Sequence, residues 1–344
     1  MAKASTDLWR QRRAVWASAL CAAFYMPLVF GFFGGLHHSL DLFAHFRWHL
    51  AILLALTGLF ALASRAWSVG AVSLTMAAAA LVTTQGIAGV PFSGPERAAF
   101  QAADGTGAVY RLLHLNVRYD NPAPEKVLSL IGRTHPDIVT LAEVSPMWAE
   151  KLKLIEAAYP DPLICATDIE IGGGAILSPR PMSGERCFGR GTFATAAVNL
   201  NGRPVHVVTL HLGWPWPSDQ WWQIRQLAAP MAMIRSPALV GGDFNAVSWS
   251  AAVTEMAKAG SLDIVDPIGA TWFDRRAPKW LRAWLGLEID HVMVKGGIVV
   301  HSVRILEDVG SDHAPVLIEF SLPPESEPEQ PVRTVDAAAT KGRT

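Results

Sequence analysis

Polar residues recur where apolar runs stop. Asn116 closes LLHLN, Glu143 closes DIVTLAE, His211 lies in VVTLHL, Asp243 and Asn245 lie in GGDFN, Asp290 opens DHVMV, and Ser311-Asp312-His313 precedes the final run. Carboxylate and amide oxygens suit a hard divalent cation. A carboxylate or an imidazole can take a proton from water. Amide and imidazole N–H groups can donate to oxygens that gain charge in a transition state. Together these are what hydrolysis of an anionic phosphate ester requires, because the attacking water and the phosphoryl oxygens both need their charge offset. Taken singly, each has a plainer reading: Asp-x-Asn after Gly-Gly is a common turn, a strand-end Glu is usually solvated, and a His between apolar residues is usually a hydrogen-bonded core residue.

Strand ends are where a sheet can offer side chains to a shared cleft, so the surrounding runs decide whether these residues can meet. The pattern predicts strands over 110–116, 137–143, 238–242, 289–294, 298–305 and 315–320, and helices over 124–132, 146–158 and 218–234. Runs 193–200 and 204–212 flank Asn201-Gly202, a pair that tolerates positive φ and so marks a hairpin. Helices mixed with hairpins imply an α/β (α+β) layered sandwich rather than a doubly wound parallel sheet.

In this order the residues resemble the endonuclease/exonuclease/phosphatase superfamily. The resemblance is carried by Pro136-Asp137 with Glu143, Gly242-Asp243-Phe244-Asn245, Ile289-Asp290-His291 and Ser311-Asp312-His313. It implies a four-layer α/β sandwich and metal-dependent phosphoester hydrolysis, with Mg²⁺ the expected cofactor and Mn²⁺ an alternative. It further implies Glu143 as first metal ligand, Asn116 beside it and Asp312 as a further ligand. Asp290 would orient His313, Asp243 or His313 would serve as base, and Asn245 and His211 would donate to phosphoryl oxygens. Abasic-site nucleases of the superfamily tend to carry Asp two residues after the first Asn, where this chain has Arg118. The departure favours a lipid or small-phosphate hydrolase, with Arg118 a candidate phosphate contact.

The composition divides the chain. Charged residues are 17% and apolar residues 51%, and between positions 14 and 90 only Asp41, Arg47 and Arg65 are charged. Apolar runs 14–35, 48–64 and 67–90 have lengths suited to transmembrane helices. Trp9, Trp16, Trp48 and Trp67 lie near their ends, as interface anchors would. Lys3, Arg10, Arg12 and Arg13 precede the first run, which places residues 1–13 in the cytoplasm and, after three spans, everything beyond Val90 outside it. A multi-pass protein of the inner membrane follows, similar in layout to the three-span bacterial members of the superfamily. Residues 91–108 read as a linker, 109–322 as the catalytic domain and 323–344 as a disordered tail. His37, His38, His45 and His49 crowd the loop between the first two runs, where imidazoles at a wet interface need no metal.

A net charge of −1 gives no bulk reason to bind a polyanion, and three cysteines make no disulfide scaffold and no zinc motif. Cys165 and Cys187 could pair in an oxidising compartment or remain separate thiols. Trp280 and Trp284, interleaved with Arg275, Arg276, Lys279 and Arg282, suit loops that rest in a headgroup layer, although aromatic residues also pack loops or stack nucleic-acid bases. The expected substrate is a membrane lipid phosphate or a lipid-linked pyrophosphate. The alternative is an extracytoplasmic nuclease acting on DNA or RNA.

Overall fold

The computed structural model describes residues 2–323 apart from 88, 104, 106 and 267, so the tail expected at 323–344 lies, Pro323 aside, outside the described residues. The first part of the chain is helical: α1 (Ala2–Phe30), α2 (His38–Asp41), α3 (Arg47–Ala63) and α4 (Trp67–Thr83). Two segments, Leu8–Phe30 and His38–Ala63, are long and apolar enough to cross a membrane, and α4 is a shorter apolar helix of 17 residues. The third run therefore stops as a helix before Val90. Thr83 and Thr84 donate their hydroxyls back to the carbonyls of Ala80 and Leu81, and the chain turns at Gly86, where φ is +63°. Small residues set the spacing inside this bundle. A Cβ on Gly70 would stand 2.6 Å from Leu62 and 2.9 Å from the Gly58 carbonyl, so α3 and α4 pack backbone to backbone.

The rest of the chain runs β1 (Tyr110–Asn116), α5 (Pro124–Thr134), β2 (Ile138–Val144), α6 (Pro146–Leu152), β3 (Leu163–Ile164), β4 (Gly173–Leu177), β5 (Met182–Phe188), β6 (Phe193–Leu200), β7 (Arg203–His211), α7 (Gln220–Ala232), β8 (Ala238–Asp243), α8 (Ala251–Gly260), β9 (Asp263–Ile264), α9 (Lys279–Leu285), β10 (Asp290–Lys295), β11 (Val299–Ile305) and β12 (Val316–Ser321). Two six-stranded sheets form, in the orders β11-β12-β1-β2-β4-β3 and β5-β6-β7-β8-β10-β9. Each is antiparallel except at one central parallel pair, β1 with β2 and β7 with β8.

Both faces of each sheet are covered, which is why the strands read as continuous apolar runs rather than alternating ones. Leu112, Val207 and Leu239 point into the space between the sheets. Their neighbours Leu113, Val208 and Val240 point outward, the first against Val127, Leu130 and Trp148 of α5 and α6, the other two against Ile224, Leu227, Val253 and Met256 of α7 and α8. The result is helix, sheet, sheet, helix. The segment read as a linker is laid against this sandwich: Ala98 is buried in the inter-sheet core, and Arg97 and Phe100 bridge to Ile264 and Val300. Cys165, beside β3, and Cys187, in β5, are joined by a disulfide that ties the edge of one sheet to the edge of the other.

Candidate active site

The two parallel pairs bring their carboxyl ends to the same end of the sandwich. Asn116 and Glu143 arrive there on β1 and β2, and His211 and Asp243 on β7 and β8. Register completes the group, since Asp243 stands opposite His211 on one side and opposite Asp290 on the other. The sheets approach closely beneath it. A Cβ at Gly241 would lie 2.5 Å from the Thr140 hydroxyl and 3.3 Å from His114, so only glycine fits that position of β8.

Local backbone geometry turns the side chains inward. Glu143, Arg118 and Asn245 all have positive φ (60°, 59° and 47°), an uncommon conformation for residues with a Cβ. At Glu143 the ladder between β2 and β4 is irregular, which swings a carboxylate from a strand otherwise committed to the core into the cleft.

Asn116 is fully buried, and its amide nitrogen donates to Glu143 Oε1 and to Asp243 Oδ2, 2.9 Å each. The Asn116 oxygen accepts from the backbone N–H of Arg118, so as placed it is the nitrogen that faces the two carboxylates. Glu143 Oε2 accepts from the backbone N–H of Tyr119. His313 Nδ1 donates to Asp290 Oδ2 at 2.7 Å, while its Nε2 lies 3.6 Å from Asp243 Oδ2. His211 Nε2 lies 3.6 Å from that same oxygen, and Asn245 holds its amide nitrogen 3.3 Å from His211 Nε2 and donates to the Leu212 carbonyl. Seven expected residues thus converge: Asn116, Glu143, His211, Asp243, Asn245, Asp290 and His313. Arg118, Asp312, Trp280 and Trp284 are placed differently. The Arg118 guanidinium pairs with Asp120 on the surface, while its carbonyl accepts from the indole of buried Trp148. The Asp312 carboxylate accepts from Trp272 Nε1. Trp280 and Trp284 lie on α9, outside the polar cluster.

Burial and charge set the protonation states. Burial alone would lower His313, but Asp290 and Asp243 outweigh it and hold the imidazolium up to about 10. Burial is the largest single effect on Asp290 and raises it, but the charges and hydrogen bonds of His313 and His114 together outweigh it and hold the carboxyl well below the usual range, so Asp290 stays ionised. Asp243 is raised, mainly by burial, with His313 opposing and Asp290 adding to the shift. The imidazolium therefore sits between an ionised carboxylate behind it and a more basic one in front.

Residues outside the expected set support the cluster. His114 is buried with Nδ1 3.0 Å from the Thr140 hydroxyl and Nε2 3.4 Å from Asp290 Oδ1. The signal was present, since His114 lies two residues before Asn116 and so on the same strand face. Thr271 Oγ1 accepts from the Asp290 N–H, and Ser311 accepts from the His313 N–H while donating to the Asn116 carbonyl. Ser311 therefore locks the last loop to β1.

Among the described residues, Asp243, Asp290 and His313 form a group whose ligand atoms lie within 4.8 Å of one another, close enough to hold a metal ion. Residues 113–313 match the Endonuclease/Exonuclease/phosphatase family. The chain belongs to that family. Its members are phosphoester hydrolases. The UPF0294 proteins of Vibrio vulnificus strains YJ016 and CMCP6 are 34% identical over 131 residues, which is 36% of this chain and only 42% of theirs. Solved structures share the fold: an endonuclease/exonuclease/phosphatase from Bacteroides vulgatus (TM-score 0.53, 20% identity, 63% of this chain and 100% of that one) and a humanized D. rerio TDP2 (0.50, 18%, 62% and 99%).

Proposed function

We propose that the protein is a membrane-anchored, Mg²⁺-dependent phosphoesterase whose substrate is a phosphate ester or pyrophosphate carried by a bilayer lipid. The observation that carries this reading is where the apolar bundle docks. The segment between α1 and α3, with the first turn of α3, lies against the lip of the catalytic cleft: Asp41 accepts from the N–H groups of Ala251 and Ala252, His45 donates to the Asn245 carbonyl, and His49 donates to the Trp284 carbonyl. An active site placed beside membrane helices is reached most directly by a substrate held in the same bilayer.

The bundle itself supports anchoring. Val15, Trp16, Leu56, Leu59, Trp67 and Val72 are all more than half exposed, an apolar perimeter suited to lipid. We assign three spans. The loop before α3 and the end of α4 lie on the catalytic side, and the turn at Arg65, with Arg10, Arg12 and Arg13, lies on the other. Basic residues mark the cytoplasmic face, which puts the catalytic domain outside. The Cys165–Cys187 bridge suits that oxidising side.

The donor set fits a hard cation. Glu143 offers a partly exposed carboxylate at the mouth, and buried Asp290 Oδ1 has His114 Nε2 near it only at 3.4 Å. Glu143 would hold Mg²⁺, with Asn116 fixing it beside Asp243. Bound there, the ion would offset charge on the phosphoryl oxygens and favour ionised water. Asp243, raised and in front of the imidazolium, is the base. His313 cannot also serve, because it already carries its proton and therefore donates to the phosphoryl group. Asp290 keeps it charged. Asn245 and His211 donate to the remaining oxygens.

The test is turnover of lipid phosphates and polyprenyl pyrophosphate by the full chain in vesicles, with Mg²⁺ or EDTA, beside DNA and a soluble phosphodiester. Lipid turnover abolished by EDTA is expected. Efficient DNA cleavage with every lipid ignored would replace this reading with that of an extracytoplasmic nuclease.

A further inference from the structure

We infer that His45, in the loop between the first two apolar helices, is a positioning residue that sets the catalytic turn Asp243–Asn245; this rests on the hydrolase reading above. The turn is bound on every side. The Asn245 N–H donates to Asp243 Oδ1 at 2.8 Å, and its side-chain nitrogen reaches the Leu212 carbonyl and His211. Its carbonyl faces away from the cleft and is held from behind. His45 Nε2 lies 3.0 Å from that oxygen, and the Gln220 amide lies 3.3 Å from it while donating to the Phe244 carbonyl at 3.0 Å. Both ring nitrogens face carbonyls, which can only accept, and a neutral imidazole has one N–H; we assign it to the shorter contact, Nε2 to Asn245.

His45 is itself well fixed. It is 1% exposed, and Nδ1 stands 3.1 Å from the Asp41 carbonyl. Ala44 packs among Val247, Leu287 and Ile289, and its carbonyl accepts from Trp249 Nε1. Residues 41–45 therefore grip the catalytic domain on both sides of the turn, with Asp41 bound at the start of α8. Asn245 holds a φ of +47°, which only its surroundings maintain. Without the His45 proton only the longer Gln220 contact would hold the carbonyl, and the left-handed residue whose N–H orients Asp243 and whose amide lies beside His211 would be less firmly set. On this inference the catalytic centre of this chain is completed by its membrane region, and the domain cut free of the helices would have a poorly set base.

The experiment uses the full chain in detergent micelles and a soluble phosphodiester, bis(p-nitrophenyl) phosphate, with Mg²⁺, so that it does not depend on the lipid assignment. His45→Phe keeps a ring of similar size without a donor. It is expected to lower kcat by about tenfold or more with KM little changed, since small displacements of reacting groups are costly. His45→Gln, whose amide can donate, should recover much of the loss. Trp249→Phe removes a hydrogen bond from the same interface but none from the turn, and should stay within about twofold of the parent. If His45→Phe melts at a lower temperature yet keeps the parent kcat per folded molecule, His45 only joins two parts of the chain and the inference is overturned. A His45→Gln variant as impaired as His45→Phe would also overturn it. A parent chain inactive on every phosphoester would sink the hydrolase reading, and this inference with it.

Discussion

His313 and Asp243 have the same neighbours and opposite tasks, and geometry separates them. His313 has Asp290 at 2.7 Å behind it, whereas Asp243 Oδ2 is approached by the Asn116 amide and by two imidazole nitrogens, each 3.6 Å away. Sequence alone could name both as bases but not choose, because the choice depends on which carboxylate the ring nitrogen reaches. Replacing Asp243 by Ala should lower kcat by about 10²-fold or more, as should His313→Ala, with the fold retained. Asp290→Asn gives a finer test. It removes the charge that holds the imidazolium up to about 10, so its pH–rate profile should lose activity on the alkaline side at lower pH than the parent's. An unshifted alkaline limb would remove His313 from the role of proton-bearing donor. The same ion pair stabilises the fold. Its contribution is fully present below the unfolded histidine value of 6.5 and is lost as pH rises through about 10.

Elements with both faces buried were the easiest to read. β1, β2, β8 and β12 are apolar runs ended by polar residues, and Asn201-Gly202 turns β6 into β7 as expected. β5 was missed because MSGERCF is an exposed edge strand without alternation, and β4 because it opens on Gly173-Gly174. The helix expected over 146–158 gives way after Leu152 to a single 3-10 turn. α8 and its cap were also missed. Ser250 accepts from the Val253 N–H, but the other partner, Asp41, lies 210 positions away, which no local pattern can show. Asp41→Ala should therefore destabilise the catalytic domain by about 1–2 kcal/mol, measured by denaturant unfolding. A second distant contact is titratable. Arg97 pairs with Asp266 and donates to the Gly86 carbonyl, and beside it Glu288 is pushed up to about 8 by burial and by Asp266. The folded state then holds a proton that the unfolded chain releases above 4.5, so stability falls as pH rises from 4.5 through about 8. Glu288→Gln should flatten that decline in the melting temperature; an unchanged slope would mean that another group titrates there.

At the scale of the whole molecule, the apolar bundle is tied to the catalytic domain beside the cleft by Asp41, His45 and His49. Mass mapping without reduction should find Cys165 bonded to Cys187, and removing the bridge should cost about 2–4 kcal/mol of stability. Two alkylatable thiols in protein made in its native compartment would place the domain on the reducing side. On the proposed three-span topology, a reporter fused after Phe320 should likewise be active only outside the cytoplasm. The substrate prediction depends on α9, which lies next to the bundle: the Trp284 ring meets His49 edge to face at 5.0 Å, and Trp280 is 80% exposed. So exposed an indole, near helices proposed to cross the bilayer, is suited to a headgroup layer. Each Trp buried there contributes on the order of 2 kcal/mol, so replacing both with Ala should raise KM for a lipid phosphate in vesicles by about tenfold or more. Turnover of a soluble phosphodiester should hardly change, since neither ring reaches Asp243 or His313. Equal losses on both substrates would mean that α9 serves the chemistry or the fold, and that lipid contact is made elsewhere.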